Sequence, residues 1–123
     1  MSVDPFEPMA VGAVALGTDP VPDEACLAGT PRTGSVDLAT VGGAVVGIWE
    51  MTAGAMRDIE VDEVFVVISG RATVELVESG RVVSTIEIVP GTLCRLDAGM
   101  QTRWHVTETL RKVYIVVDAD GTS

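Results

Sequence analysis

The chain has 123 residues, of which 47% are hydrophobic, and a mean hydropathy of +0.38, enough for one domain with a real core and too apolar for disorder over most of the length. Its 18 acidic residues against 8 basic ones give a formal charge of -10 and a pI near 4.3. Such a surface repels phosphate backbones and anionic lipid headgroups, which argues against nucleic-acid and membrane partners but says little about a small substrate.

Residues 1–34 are expected to form an extended N-terminal arm. Up to Pro31 this stretch has no Lys or Arg, carries five acids and holds five of the six prolines (Pro5, Pro8, Pro20, Pro22, Pro31), so regular helix is nearly excluded. Met9, Val11, Val14 and Leu16 still need covering, and the arm is expected to lie over the main domain or over a neighbouring subunit. The apolar run from Met9 to Leu16 follows no basic residue and is too short to span a bilayer, so the chain reads as soluble and cytoplasmic. Cys26 and Cys94 match no metal-ligand spacing and are expected to be two buried free thiols.

From Ser35 the texture changes to short apolar segments punctuated by turn residues, the rhythm of an all-β sandwich or barrel over residues 35–117, with 118–123 left as a C-terminal tail. The expected strands are Ser35 to Leu38, Val45 to Met51, Asp62 to Ser69, Ala72 to Val77, Val82 to Ile88, Leu93 to Leu96, Thr102 to Val106 and Val113 to Val117. Asp62 to Ser69 is an unbroken β-branched and aromatic run that reads as covered on both faces. In Arg71 to Glu78, Ala72, Val74 and Leu76 share one face and Arg71, Thr73 and Glu75 the other. Glu78-Ser79-Gly80 and Pro90-Gly91 read as tight turns.

Among the polar residues, Glu63 shares its phase with Phe65 and Val67. Pointing inward, it is a candidate general acid or base; the alternative is a structural carboxylate paired with an arginine of the next strand. Asp58, Glu60 and Asp62 alternate along one face and read as solvated edge residues, against the alternative of a hard-cation site. Trp49 and Trp104 either line a pocket or plug the core, and Tyr114 offers a hydroxyl to the same cavity or satisfies one core bond. Arg111 and Lys112 project to opposite faces; one can bind an anion, and a salt bridge to Glu50 or Glu108 is the plainer reading. Neither a Ser-His-Asp set nor a phosphate-binding glycine loop can be assembled.

The spacing of Glu63, six residues, Gly70 matches the end of the first motif of the cupin superfamily, and Gly91, five residues, Asp97-Ala98-Gly99 resembles its second. GIWEMTAG (Gly47 to Gly54), DEVFVVISG (Asp62 to Gly70) and TRWHVTETLRKVYIV (Thr102 to Val116) resemble the small single-domain cupins related to (S)-ureidoglycine aminohydrolase and the ethanolamine-utilisation cupin. The resemblance implies a double-stranded β-helix (jelly-roll) barrel, a homodimer that exchanges the arm or an edge strand, and a metal site built from the two motifs. Here the motif's paired histidines fall on Met56 and Asp58 or on Arg57 and Ile59, and Thr102 takes the second-motif histidine position. The only histidine, His105, lies three residues further on, on the opposite strand face. No cofactor is therefore expected, and a divalent metal, if held, has only Glu63. The expected function is binding of a small polar metabolite at a barrel mouth lined by Trp49, Glu63, Thr102, Trp104 and Tyr114. The alternatives are a hydrolase- or isomerase-type enzyme, metal-assisted or using Glu63 as acid/base, and a structural module whose barrel is filled by its own side chains.

Overall fold

The computed structural model describes residues 2–117, so the expected tail at 118–123 lies outside the described residues. Nine strands follow one 3-10 turn at Val11–Ala13: β1 (Asp19–Pro20), β2 (Cys26–Ala28), β3 (Arg32–Val41), β4 (Ala44–Met51), β5 (Gly54–Ile59), β6 (Glu63–Glu78), β7 (Arg81–Ile88), β8 (Leu93–Leu96) and β9 (Gln101–Val117). They form one curled sheet with the order β1-β3-β4-β9-β5-β2, to which β6 adds through β9, with β7 and β8 on its other edge. This is an all-β jelly roll, and every pairing is antiparallel.

Two long strands replace four of the expected short ones. The punctuation that separated Asp62–Ser69 from Ala72–Val77 falls at Gly70, which stays within β6 at φ +89° while the β6–β9 register shifts around it. A β-carbon at Gly70 would lie 2.1 Å from the Thr109 carbonyl oxygen, so the bulge of β6 nests against the backbone of β9 within the gap expected between Thr102–Val106 and Val113–Val117. Both positions bend a continuous strand instead of ending it. That lets each half of β6 and β9 serve a different part of the barrel.

β5 is absent from the expected strands because GAMRDI has a single β-branched residue and opens on glycine. It is fixed by neighbours, pairing Met56 with Trp104 and Asp58 with Thr102 of β9. At the β6–β7 hairpin, Ser79 and Gly80 both take positive φ (52° and 76°), the pair of left-handed residues that a two-residue turn requires.

The core lies inside the curl: Trp104, Phe65, Met51, Ile88, Leu110 and Val67 are its fully buried large side chains. In β6, Phe65 and Val67 are buried while Val64, Val66 and Ile68 are half-buried, so the outer side of that run is covered only in part. The N-terminal segment lies against this barrel through Arg111, whose Nη1 donates to the carbonyls of Val11 (2.9 Å) and Val14 (2.6 Å) while its other nitrogens reach Glu50. The cysteines are free, and half-buried where full burial was expected. No helix is long and apolar enough among the described residues to cross a membrane.

Candidate functional site

Parity along β5, β6 and β9 brings the polar residues together. Thr102, Trp104, Lys112 and Tyr114 of β9 are buried, and Glu63 begins β6 in phase with buried Phe65. Met56 and Asp58 pair with Trp104 and Thr102, so they share the inner face, and Glu60 continues it. A cavity of about 160 Å³ opens between them, lined by Ser35, Trp49, Asp58, Glu60, Glu63, Trp104, Lys112, Tyr114 and Val116.

The centre of the site is an ion pair. Lys112 Nζ donates to Glu63 Oε2 at 2.6 Å, and the two side chains are only 6% and 9% exposed. The ammonium also lies 4.4 Å from the Phe65 ring centroid, 4.7 Å from that of Trp49 and 4.8 Å from that of Trp104. Each face offers about 0.5–2 kcal/mol to a desolvated cation, so the three rings and one carboxylate together repay the loss of water around the ammonium. Glu63 thus points inward and has a partner, a lysine of β9 and not an arginine.

Glu60 corrects the expectation of a solvated edge, for it is 6% exposed. Its N–H donates to the Met100 carbonyl and its carbonyl accepts from Gly99 N–H, both at 2.9 Å, so the turn between β8 and β9 aims the side chain inward. Its Oε2 accepts from Thr102 Oγ1 at 2.5 Å and from Trp104 Nε1 at 3.0 Å. Asp62 does stand in water, where its Oδ1 accepts from Ala98 N–H at 2.9 Å. Asp58 sits at the rim, where its pKa is raised to about 6, first by desolvation and then by the charge of Glu60, with the Ile59 N–H and Lys112 acting the other way. Tyr114 donates its hydroxyl to Asp37 Oδ1 at 2.5 Å, and burial followed by that bond pushes its pKa upward.

Four of the expected lining residues, Trp49, Glu63, Trp104 and Tyr114, surround the cavity. The fifth, Thr102, stands behind Glu60 and spends its hydroxyl on it. Asp58, Glu60 and Lys112 line the cavity as well, against the plainer readings of solvated edge acids and of a salt bridge to Glu50 or Glu108. Their signal was available in parity: Met56-x-Asp58-x-Glu60 is one face of an extended segment, and Lys112 is in step with Leu110 and Tyr114. His105 faces outward and meets Glu75 through Nε2 at 2.6 Å. It lines a larger depression of about 860 Å³ outside the barrel, where Arg57 is likewise occupied with the Glu24 carbonyl.

The residues do not fit a metal centre. The inward positions that would carry imidazole hold Met56, Asp58 and Thr102, and the motif's own carboxylate, Glu63, is bound to an ammonium. No group of three or more His, Cys, Asp or Glu among the described residues converges to hold an ion.

Comparison with known proteins agrees with this fold. The chain is similar in structure to the EutQ protein of Clostridium difficile (TM-score 0.60, 22% identity, 73% of this chain and 71% of that one). It is also similar to a protein of unknown function from Pseudomonas syringae (TM-score 0.68, 22% identity), of which it spans 44% while 84% of its own length is covered. A cupin superfamily protein from Desulfitobacterium hafniense matches 69% of this chain and 76% of its own at 12% identity, with a TM-score of 0.55. No functionally curated protein matches the sequence. The sequence profile of the EutQ-like cupin domain matches residues 38–114, more than half of the chain, which therefore belongs to the EutQ-like cupin family.

Proposed function

We propose that the barrel mouth binds a small polar metabolite. The observation that carries this reading is the cavity of about 160 Å³ with a wall part aromatic and part charged. At about 30 Å³ per water it has room for on the order of five waters, or a molecule of roughly five to eight non-hydrogen atoms. A barrel filled by its own side chains would not leave the buried carboxylate of Glu60 beside open space, since a buried carboxylate with no cation beside it is costly. Trp49 and Trp104, whose ring centroids are 5.6 Å apart, supply flat apolar contact together with the Tyr114 ring, and Ser35 supplies a hydroxyl.

A second reading, proton transfer at the same mouth, draws support from Asp58, whose pKa near 6 suits a general acid or base at neutral pH better than a carboxylate already held by Lys112. As for quaternary structure, a homodimer accords with β7, an edge strand exposing Val82, Val83 and Ile86. Pairing two copies about Ser84 would set Arg81 opposite Glu87 twice. Light scattering on the full chain decides that point, a monomer at micromolar concentration refuting it. The binding reading is tested by thermal-shift screening against small polar metabolites of mixed charge. Saturable stabilisation that disappears in Trp49→Ala supports it, and no response from any probe contradicts it.

A further inference from the structure

The charges around the cavity do not balance. Three carboxylates (Asp58, Glu60, Glu63) face it against one ammonium (Lys112), and that ammonium is already committed to Glu63 at 2.6 Å and to three ring faces. Glu60 has no cation beside it: its only side-chain partners among the described residues are the hydroxyl of Thr102 and the indole N–H of Trp104, both on Oε2. No donor among those residues reaches Oε1, and no buried side-chain oxygen or nitrogen is left without a partner. Oε1 is therefore reached by solvent, an acceptor on a side chain otherwise buried, and Glu60 lines the cavity together with Trp49. Immediately beside it, the same chemistry of a carboxylate and aromatic faces already holds one ammonium, that of Lys112.

We propose that the cavity selects a small organic cation, such as a primary amine or an amidine, whose N–H groups are received by Glu60 Oε1 and by Asp58 at the rim, with Trp49 as the apolar wall. This rests on the metabolite-binding reading above and narrows it to one charge class. An anionic ligand would have to approach three carboxylates to reach one lysine whose charge is already compensated, and low-dielectric surroundings enlarge that penalty. A cation brings the charge that Glu60 lacks and gains the ring faces as well.

The proposal carries a pH signature. The groups that bear electrostatically on Asp58 are Glu60, Glu63 and Lys112, together with the Ile59 N–H, and its proton is lost near pH 6. Affinity for a permanently charged cation should fall as the pH drops through that value, because Asp58 becomes neutral.

The test is calorimetric titration of the full chain, at fixed ionic strength, with methylammonium, ethylammonium and guanidinium chlorides, with sodium acetate and glycolate, and with neutral acetamide. Saturable binding of at least one cation is expected, weakened about tenfold or more in Glu60→Gln. Asp58→Asn, at the exposed rim and safer for folding, should weaken it several-fold and flatten the pH dependence. Binding of acetate or glycolate in preference to the cations overturns the cation assignment while leaving the metabolite-binding reading intact, and so does preference for acetamide. Failure of every probe overturns both. Cation binding that is unchanged in both Glu60→Gln and Asp58→Asn also overturns the proposal, since the site would then lie elsewhere.

Discussion

Replacing Lys112 by Met keeps the length and apolar stem of the side chain while removing the charge that Glu63 and the three rings surround. Because the pair is only 6% and 9% exposed, solvent screens it little, and deleting one partner leaves a carboxylate buried without its counter-ion. The expected cost is about 3–5 kcal/mol. For a domain of this size, about 3–5 °C per kcal/mol, that is a fall in Tm of roughly 10–20 °C. Removing both charges in Lys112→Met/Glu63→Gln should recover most of the loss, because a buried pair replaced by neutral groups of similar shape is often nearly neutral for stability. Urea unfolding of wild type, Lys112→Met, Glu63→Gln and the double variant gives the coupling energy, expected to be at least about 2 kcal/mol. A cycle additive to within about 0.5 kcal/mol would refute the ion pair as the organising contact of the site.

Four further substitutions have expected outcomes of their own. Asp58 titrates near 6 in the folded chain against an ordinary value of 3.8, so its ionisation disfavours folding as the pH rises from one value to the other. Asp58→Asn should therefore match wild type below pH 3.8 and exceed it in Tm above about 6, and a constant difference across that window would contradict the assigned shift. Gly70→Ala combines a positive φ of 89° with a β-carbon 2.1 Å from the Thr109 carbonyl, and should cost at least about 3 kcal/mol in chemical unfolding. Gly80→Ala, which meets open space at φ +76°, should cost only about 1 kcal/mol. Arg111→Met removes the donors that hold the Val11 and Val14 carbonyls, so limited proteolysis within the first twenty or so residues should accelerate while the barrel core stays protected.

The fold was legible because alternation and turn chemistry are local. Val45 to Met51, Val82 to Ile88 and Leu93 to Leu96 could be placed almost to the residue, and Ser79-Gly80 announced its own hairpin. What local reading blurred was continuity: Gly70 looks like a stop, and only the approach of Thr109 from a strand about forty residues later makes it a bend. The site was half legible. Glu63, Trp49, Trp104 and Tyr114 stand out by phase and chemistry, whereas Glu60 reads as solvated because an acidic run looks so until its partners are known. Those partners, Thr102 and Trp104, lie 42 and 44 residues away. Lys112 was hidden for the same reason, its cage being drawn from β4, β6 and β9. Parity carried the inward direction of both side chains; propensity to be charged and exposed outweighed it.

In the proposed binding site, the barrel mouth is organised by the tethered ammonium of Lys112 and the free oxygen of Glu60. The most direct measurement is a crystal structure near atomic resolution of the full chain grown with methylammonium. Ordered density is expected in the cavity within hydrogen-bonding distance of Glu60 Oε1, with Lys112 still on Glu63. A cavity closed by a rotated Trp49, or Lys112 turned away from Glu63 toward solvent, would contradict it.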